Sequence, residues 1–393
     1  MYFQRNIEPA LLSQFKRKEI VVLTGMRRTG KTTLLKRIFD EIKSDNKVFL
    51  DLENTLEQKI FEEIDYNNIL ANLKSYGITT KSKIYLFIDE IQFMPNVVSA
   101  IKYLYDHYDI KLFVSGSSSF YLKNLFPQSL AGRKIVFELF PLTFNEFLIF
   151  KGFAIEIADD FQHKAESKNI VEFERVSKYY DEYLEYGGFP QVVLENDISQ
   201  KELILKDIFN SYFQIDILML SDFRKISAFR KLIFLLLERV GSKLDITKLA
   251  SLTGVSRDSI YSYINLLEGS YFVYLVTPFT NNRDREVSGT KKVYLCDTGI
   301  LNLLSKVSSG SLLENSVFMN LKQYGEINYY QKHSGIEIDF ILNKSIAFEV
   351  KTSGDNKDLS KLKRLANQLN IDEYFLISHK YFNDEKAIAA YQI

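Results

Sequence analysis

The stretch Ile20-Val-Val-Leu-Thr-Gly-Met-Arg-Arg-Thr-Gly-Lys-Thr-Thr-Leu-Leu35 decides how this chain is read. Ile20 to Leu23 are apolar and mostly β-branched, the composition of a short buried strand. Gly25-x-x-x-x-Gly30-Lys31-Thr32 follows, and Leu34, Leu35 and Ile38 then recur at helical spacing. Strand, glycine loop and helix in this order form the context that a phosphate-binding loop requires. Gly25 and Gly30 permit backbone angles and a close approach that a Cβ blocks. The loop N–H groups and the helix N-terminus point at phosphate. Lys31 supplies a point charge near the β- and γ-phosphates, and the Thr32 hydroxyl is placed to ligate Mg²⁺. Gly25, Arg28, Thr29, Gly30, Lys31, Thr32 and Thr33 are the expected nucleotide-binding set.

Working outward, 393 residues predict two to four domains, and a hydrophobic fraction of 46% gives each a core. Fifty basic and fifty acidic residues cancel, so nucleic-acid binding would have to rest on a local patch. The one cysteine, Cys296, excludes an intramolecular disulfide and a cysteine-based zinc site, and suits a reducing cytoplasm. The start lacks the apolar run of a signal peptide. Leu232 to Leu237 is too short to span a bilayer, so no membrane partner is expected.

A lead-in helix is predicted near Pro9, and Arg5 is read as a solvated arginine, with a place near the bound base as the other reading. Val48 to Leu52 is the next strand, with Asp51 and Glu53 at its carboxyl end. Ile84 to Ile88 is an apolar run that ends in Asp89-Glu90. In a parallel sheet those carboxylates emerge beside the phosphates: Asp89 holds Mg²⁺ and Glu90 polarises the attacking water. After Leu112 to Val114 stand Ser115, Ser117 and Ser118, which either meet the γ-phosphate or cap a helix at 120–125. Arg133, before a fifth strand over 135–139, reads either as a catalytic finger arginine or as a surface arginine. Five strand–helix repeats predict a doubly wound α/β ATPase domain over 1–150.

Residues 151–225 are helical by pattern and read as a lid. They contain Gly187-Gly188-Phe189-Pro190, which is either a rigid helix corner or a lid contact to nucleotide. Residues 226–285 read as a winged helix-turn-helix: a helix over 229–240, a second over 246–253 capped by Asp245, a turn at Gly254-Val255, and a third over 257–267. That third helix would enter a DNA major groove. Its exposed face carries one cation, Arg257, and one anion, Asp258, so protein packing is an equal reading.

Residues 286–393 form a further unit with the predicted order α-β-β-β-α-β. Glu349 and Lys351 lie two apart on one strand and share a face. Asp339 sits on the neighbouring strand, and Glu314 comes from the preceding helix. Two carboxylates on adjacent strands, a lysine and a helix glutamate suit a second divalent cation and phosphodiester hydrolysis. Charges on an exposed hairpin face are the alternative.

The motifs together resemble a family of AAA+-like ATPases with an N-terminal AAA_14 domain and a C-terminal DUF4143 domain. They are Gly-Met-Arg-Arg-Thr-Gly-Lys-Thr-Thr, Asp-Glu-Ile-Gln, Leu-Ala-Gly-Arg before Pro-Leu-Thr-Phe-Asn-Glu-Phe, Gly-Gly-Phe-Pro, Leu-Cys-Asp-Thr-Gly, Leu-Leu-Glu-Asn and Glu-Ile-Asp-Phe with Phe-Glu-Val-Lys. The resemblance implies an ATP- and Mg²⁺-binding core of a STAND-like or replication-initiator-like branch, a winged helix, and a C-terminal fold similar to PD-(D/E)XK nucleases. It implies Walker A roles for Lys31 and Thr32 and Walker B roles for Asp89 and Glu90. It implies nuclease-motif roles for Asp339, Glu349 and Lys351, with Glu314 upstream. Ile338 stands where that nuclease motif has proline. The expected protein is a cytoplasmic ATPase acting on or near DNA; the rival is a nucleotide-dependent assembly switch, with a protein partner or self-association, whose nuclease-like domain is inactive.

Overall fold

Apolar runs bounded by glycine and serine give parallel strands buried on both faces. A computed structural model describes residues 2–117, 130, 132–217, 226–280, 289–332 and 334–393. The expected helix at 120–125 and Ser118 lie outside these residues. The chain divides into two compact units: Met1–Phe140 with Ser211–Asp222 and Gly269–Tyr271, and Pro141–Asn210 with Phe223–Glu268 and Phe272–Ile393.

The first unit holds a five-stranded sheet of β1 (Ile20–Thr24), β2 (Lys47–Asp51), β3 (Ile84–Asp89), β4 (Ile110–Gly116) and β5 (Lys134–Glu138). The order is β2-β3-β4-β1-β5, and every pair is parallel. All carboxyl ends therefore share one edge. Side chains alternate along β1. Ile20 and Val22 enter one core with Leu50, Leu86 and Leu112, while Val21 and Leu23 enter the other. The helix Lys31–Glu41 covers that second face with Leu34, Leu35 and Ile38. Each such side chain, fully buried, contributes about 1.5–3 kcal/mol. Phe87 and Phe113 stack beneath it, with ring centroids 4.5 Å apart.

The second unit contains the expected three helices, Ile226–Leu237, Ile246–Thr253 and Arg257–Gly269, followed by β6 (Val273–Pro278). The helix Ser309–Leu321 leads into β8 (Ile327–Gln331), β9 (Glu337–Leu342) and β10 (Ile346–Lys351); the helix Asn356–Gln368 and β11 (Glu373–Ser378) follow. The order α-β-β-β-α-β is thus present. The boundary expected at 285/286 does not separate two sheets. β6 pairs antiparallel with β7 (Lys292–Leu295) and also runs parallel to β8 through Thr277 and Asn328. With β12 (Ala387–Ala389) this makes one seven-stranded sheet, β12-β11-β10-β9-β8-β6-β7.

Gly187 ends the helix Ile170–Tyr186 with φ 75°, and Pro190 opens the next helix, so Gly-Gly-Phe-Pro is a helix corner. A Cβ on Gly187 would lie 2.1 Å from Asp297 Oδ1, and one on Gly188 would lie 2.4 Å from the Leu142 carbonyl. Asp297 accepts from Gly188 N at 2.7 Å and caps the following helix by accepting from Ile300 N at 3.1 Å. The two glycine-bearing motifs are therefore partners in packing.

Burial pushes the Asp297 carboxyl from 3.8 up to about 6, although these N–H groups favour its charge. A folded-state value above the unfolded one means stability is greatest at low pH and is lost as pH rises through about 6. The loss amounts to about 3 kcal/mol. Denaturant titration at pH 4 to 7 should therefore show wild type losing stability relative to Asp297→Asn between pH 4 and 6 and running parallel above. Parallel behaviour throughout would remove Asp297 as the titrating group.

Candidate nucleotide site at the sheet's carboxyl edge

The loop after β1 takes its shape from three backbone choices. Gly25 has φ 151°, and a Cβ there would lie 2.1 Å from the Leu139 carbonyl. Leu139 N in turn donates to the Thr24 carbonyl at 2.7 Å. Gly30 takes φ 96° at the N-cap of the helix Lys31–Glu41. Arg28 is exposed with φ 65°, a left-handed conformation uncommon in a residue with a side chain. Lys31 is buried and curls over the loop, donating to the Gly25 and Met26 carbonyls at 3.0 Å each. Thr29 Oγ1 donates to the Met26 carbonyl at 2.9 Å. Thr32 is half-buried and Thr33 exposed in the first turn.

Arg5 was expected in solvent. It is buried, and its guanidinium donates to the Thr29 carbonyl at 2.9 Å and to the Phe140 carbonyl at 2.8 Å. No local pattern announces a contact between residues so far apart in sequence.

Asp89 and Glu90 emerge from β3, separated from β1 by β4 alone. Asp89 is buried; its Oδ1 accepts from Ser115 Oγ and from Glu90 N at 3.1 Å. Its Oδ2 is buried with no hydrogen-bond partner among the described residues, as is Thr24 Oγ1. A buried carboxylate oxygen left unpaired is costly, and a hard cation or its water satisfies it. Glu90 has φ 53°, and its carboxylate accepts from Gln92 Nε2. Gln92 also donates to Ser117 Oγ at 3.0 Å and accepts from Ser117 N at 3.3 Å. Gln92 thus fixes Glu90 against the end of β4, a role that its place two residues after Glu90 in the motif hinted at.

Arg133 requires a correction. Its carbonyl accepts from Ile20 N at 2.7 Å, and its guanidinium pairs with Asp106 at 2.9 Å. It precedes β5, so it lies at the amino edge of the parallel sheet, about 15 Å from the carboxyl edge where the loop lies. Within one chain it does not join Lys31, Asp89 and Glu90.

In the second unit Asp339 and Glu349 lie on adjacent strands, as expected. Asp339 Oδ2 accepts from Val350 N at 2.8 Å. Glu349 Oε1 meets Lys351 Nζ at 2.7 Å and Lys361 Nζ at 3.4 Å, and its Oε2 is buried without a partner among the described residues. Glu314 accepts from Tyr294 OH at 2.6 Å. Lys292, which the sequence reading passed over, is buried between Glu314 at 3.6 Å and Glu337 at 3.4 Å. Burial, then the Glu314 and Glu349 charges, push the Asp339 carboxyl well above its usual range. Burial opposes the charge on Lys292, yet Glu314, Asp339 and Glu337 outweigh it and raise its pKa. Among the described residues no three His, Cys, Asp or Glu side chains converge as metal ligands would, and no helix is long and apolar enough to cross a membrane.

A family model described as an AAA domain matches residues 17–148. Two domains of unknown function, DUF8612 and DUF4143, match 177–311 and 309–390. The first of these spans the boundary between expected lid and winged helix. The Methanocaldococcus jannaschii protein MJ1544, itself uncharacterised, is 28% identical over 97% of this chain and 85% of its own length. An uncharacterised Haemophilus influenzae protein is 27% identical over 94% of this chain and 92% of its own. Among solved structures, the Aeropyrum pernix ORC1 protein in complex with DNA aligns over 78% of this chain and 93% of its own, at 13% identity and a TM-score of 0.33.

Gly25→Ala places a methyl group against the Leu139 carbonyl and should destabilise the first unit by about 2 kcal/mol or more. The measurement is chemical denaturation; an unchanged midpoint would show that the loop and the segment after β5 can separate without cost.

Proposed function

We propose that the first unit binds and hydrolyses Mg²⁺-ATP and that the second unit is what its nucleotide state controls. The observation that carries this reading is the buried, unpartnered Oδ2 of Asp89 at the edge where a glycine loop also ends. Lys31 would leave its loop carbonyls for the β- and γ-phosphates, and Thr32 and Asp89 would hold Mg²⁺, directly or through water. The metal supplies charge neutralisation of the transferring phosphoryl group. Glu90, oriented by Gln92, accepts the proton of the attacking water, and Ser115 holds Asp89 in register. Lys31→Ala should abolish ATP binding measured by calorimetry. Glu90→Gln should bind ATP normally with turnover reduced at least about a hundredfold. Wild-type turnover in the Glu90 variant would sink its assignment as the base.

The output we favour is action on DNA through the winged helix, with the C-terminal carboxylates as a nuclease-like site. What supports it is the helix arrangement 226–269 and the pairing of Asp339, Glu349 and Lys351 on adjacent strands. A second reading, an assembly switch with an inactive C-terminal site, is favoured by Lys292. That ammonium already balances Glu314 and Glu337, where a divalent cation would be expected to do so. The two readings part on one experiment: DNA binding across a salt series and plasmid cleavage with Mg²⁺ or Mn²⁺, with and without ATP, for wild type and Asp339→Ala. Nicking that the variant loses, with affinity falling steeply as salt rises, favours the first. Absence of both, with ATPase activity intact, favours the second.

A further inference from the structure

Arg5 joins two places that the chain keeps far apart. One of its guanidinium nitrogens donates to the carbonyl of Thr29, the residue before Gly30 and Lys31; another donates to the carbonyl of Phe140. Phe140 is the last residue of the first unit before the chain passes into the second. A planar, permanently charged fork fixes the separation and angle of the two carbonyls it holds, whereas an ammonium on a shorter, rotating stem constrains them less.

The other described crossings are fastened to the same place. Residues 269–271 belong to the first unit although the chain on either side belongs to the second. The Tyr271 ring meets the Phe140 ring edge-on at 6.2 Å, and its hydroxyl donates to Glu138 at 3.0 Å. Tyr271 holds φ 64°, a backbone state that costs a tyrosine energy and persists only where its surroundings impose it. Ser270 shares a hydrogen bond of 2.6 Å with Tyr212, which lies just inside the crossing at Ser211 and opens the π-helical turn Tyr212–Ile217. These crossings are thus tied to one another inside the first unit, and Arg5 ties them to the nucleotide loop.

We propose that Arg5 is a positioning residue that couples the nucleotide loop to these crossings. A phosphate held by the loop N–H groups fixes the peptide planes on either side, including the Thr29 carbonyl that Arg5 needs. An ordered Arg5 then holds Phe140 and, through it, Tyr271, from which the chain enters β6. Coupling of this kind is reciprocal: whatever loosens the crossings weakens the nucleotide. The inference rests on the ATP reading of the loop.

The test is amide hydrogen exchange over residues 268–278, with and without saturating ATP, beside ATP affinity by calorimetry. Wild type should gain protection there when ATP binds. Arg5→Lys, which keeps the charge and gives up the rigid fork, should bind ATP about tenfold more weakly and show no ATP-dependent protection even when saturated. A merely structural arginine would lower protection equally with and without ATP, leaving the difference intact, and that result overturns the proposal. So does a wild type that binds ATP and gains no protection. If Arg5→Lys fails to fold, Tyr212→Phe removes only the hydroxyl bonded to Ser270, and it should bind ATP more weakly and lose the protection; unchanged behaviour overturns the proposal. A wild type that binds no ATP fails at the calorimetry step instead, and so defeats the functional reading of the loop itself.

Discussion

The carbonyl of Leu139 occupies the space that any side chain on residue 25 would need, at 2.1 Å from an ideal Cβ. The glycine loop of this protein is therefore pressed backbone to backbone against the segment that follows β5. That approach, closed by the bond from Leu139 N to the Thr24 carbonyl, sets the level at which the loop leaves β1. Gly30 then turns the chain at φ 96° into the helix, and Lys31 folds over the loop. The parallel order β2-β3-β4-β1-β5 does the rest by gathering Thr24, Asp89 and Ser115 on one edge. Remove the close contact and the loop has no floor.

The two units treat buried charge in opposite ways. In the first, Asp89 is held on one side by Ser115 and Glu90 N, and its other oxygen is left without a protein partner. In the second, the carboxylates Glu314, Glu337 and Glu349 meet the ammonium groups of Lys292, Lys351 and Lys361. Placing each ion next to its counterion reduces the desolvation cost that burial imposes. These pairs offset one another, while Asp339, pushed up by burial and by Glu314 and Glu349, is a fourth carboxyl in the cluster, and Glu349 Oε2 is a buried orphan among the described residues.

Features written in short-range pattern were legible in the sequence. The apolar runs of β1 and β3, the glycine loop, the helix that follows it and the order α-β-β-β-α-β all carry periodicity or turn chemistry of their own. Contacts between distant residues were not. Arg5 meets Thr29 and Phe140, and Lys292 meets Glu314 and Glu337, across separations that no spacing rule encodes. Arg133 is different, because a signal existed. In a parallel sheet a residue that precedes a strand lies at the amino edge, opposite every residue that follows one, and Arg133 precedes β5. The shared sheet was missed because β6 meets β8 over only two residue pairs, Thr277 with Asn328 and Pro278 with Tyr329.

That short parallel ladder has a consequence for how this protein can be cut. A fragment that begins at residue 286 would contain every motif of the C-terminal domain, yet it would strip β6 from β8 and from β7. The β8 backbone groups that face Thr277 and Pro278, and the whole inner edge of β7, would become raw strand edges open to pairing with other chains. β6 and the strands beyond residue 286 thus form one structural piece. A product cut at the sequence's apparent seam would be an incomplete sheet with edges open to other chains.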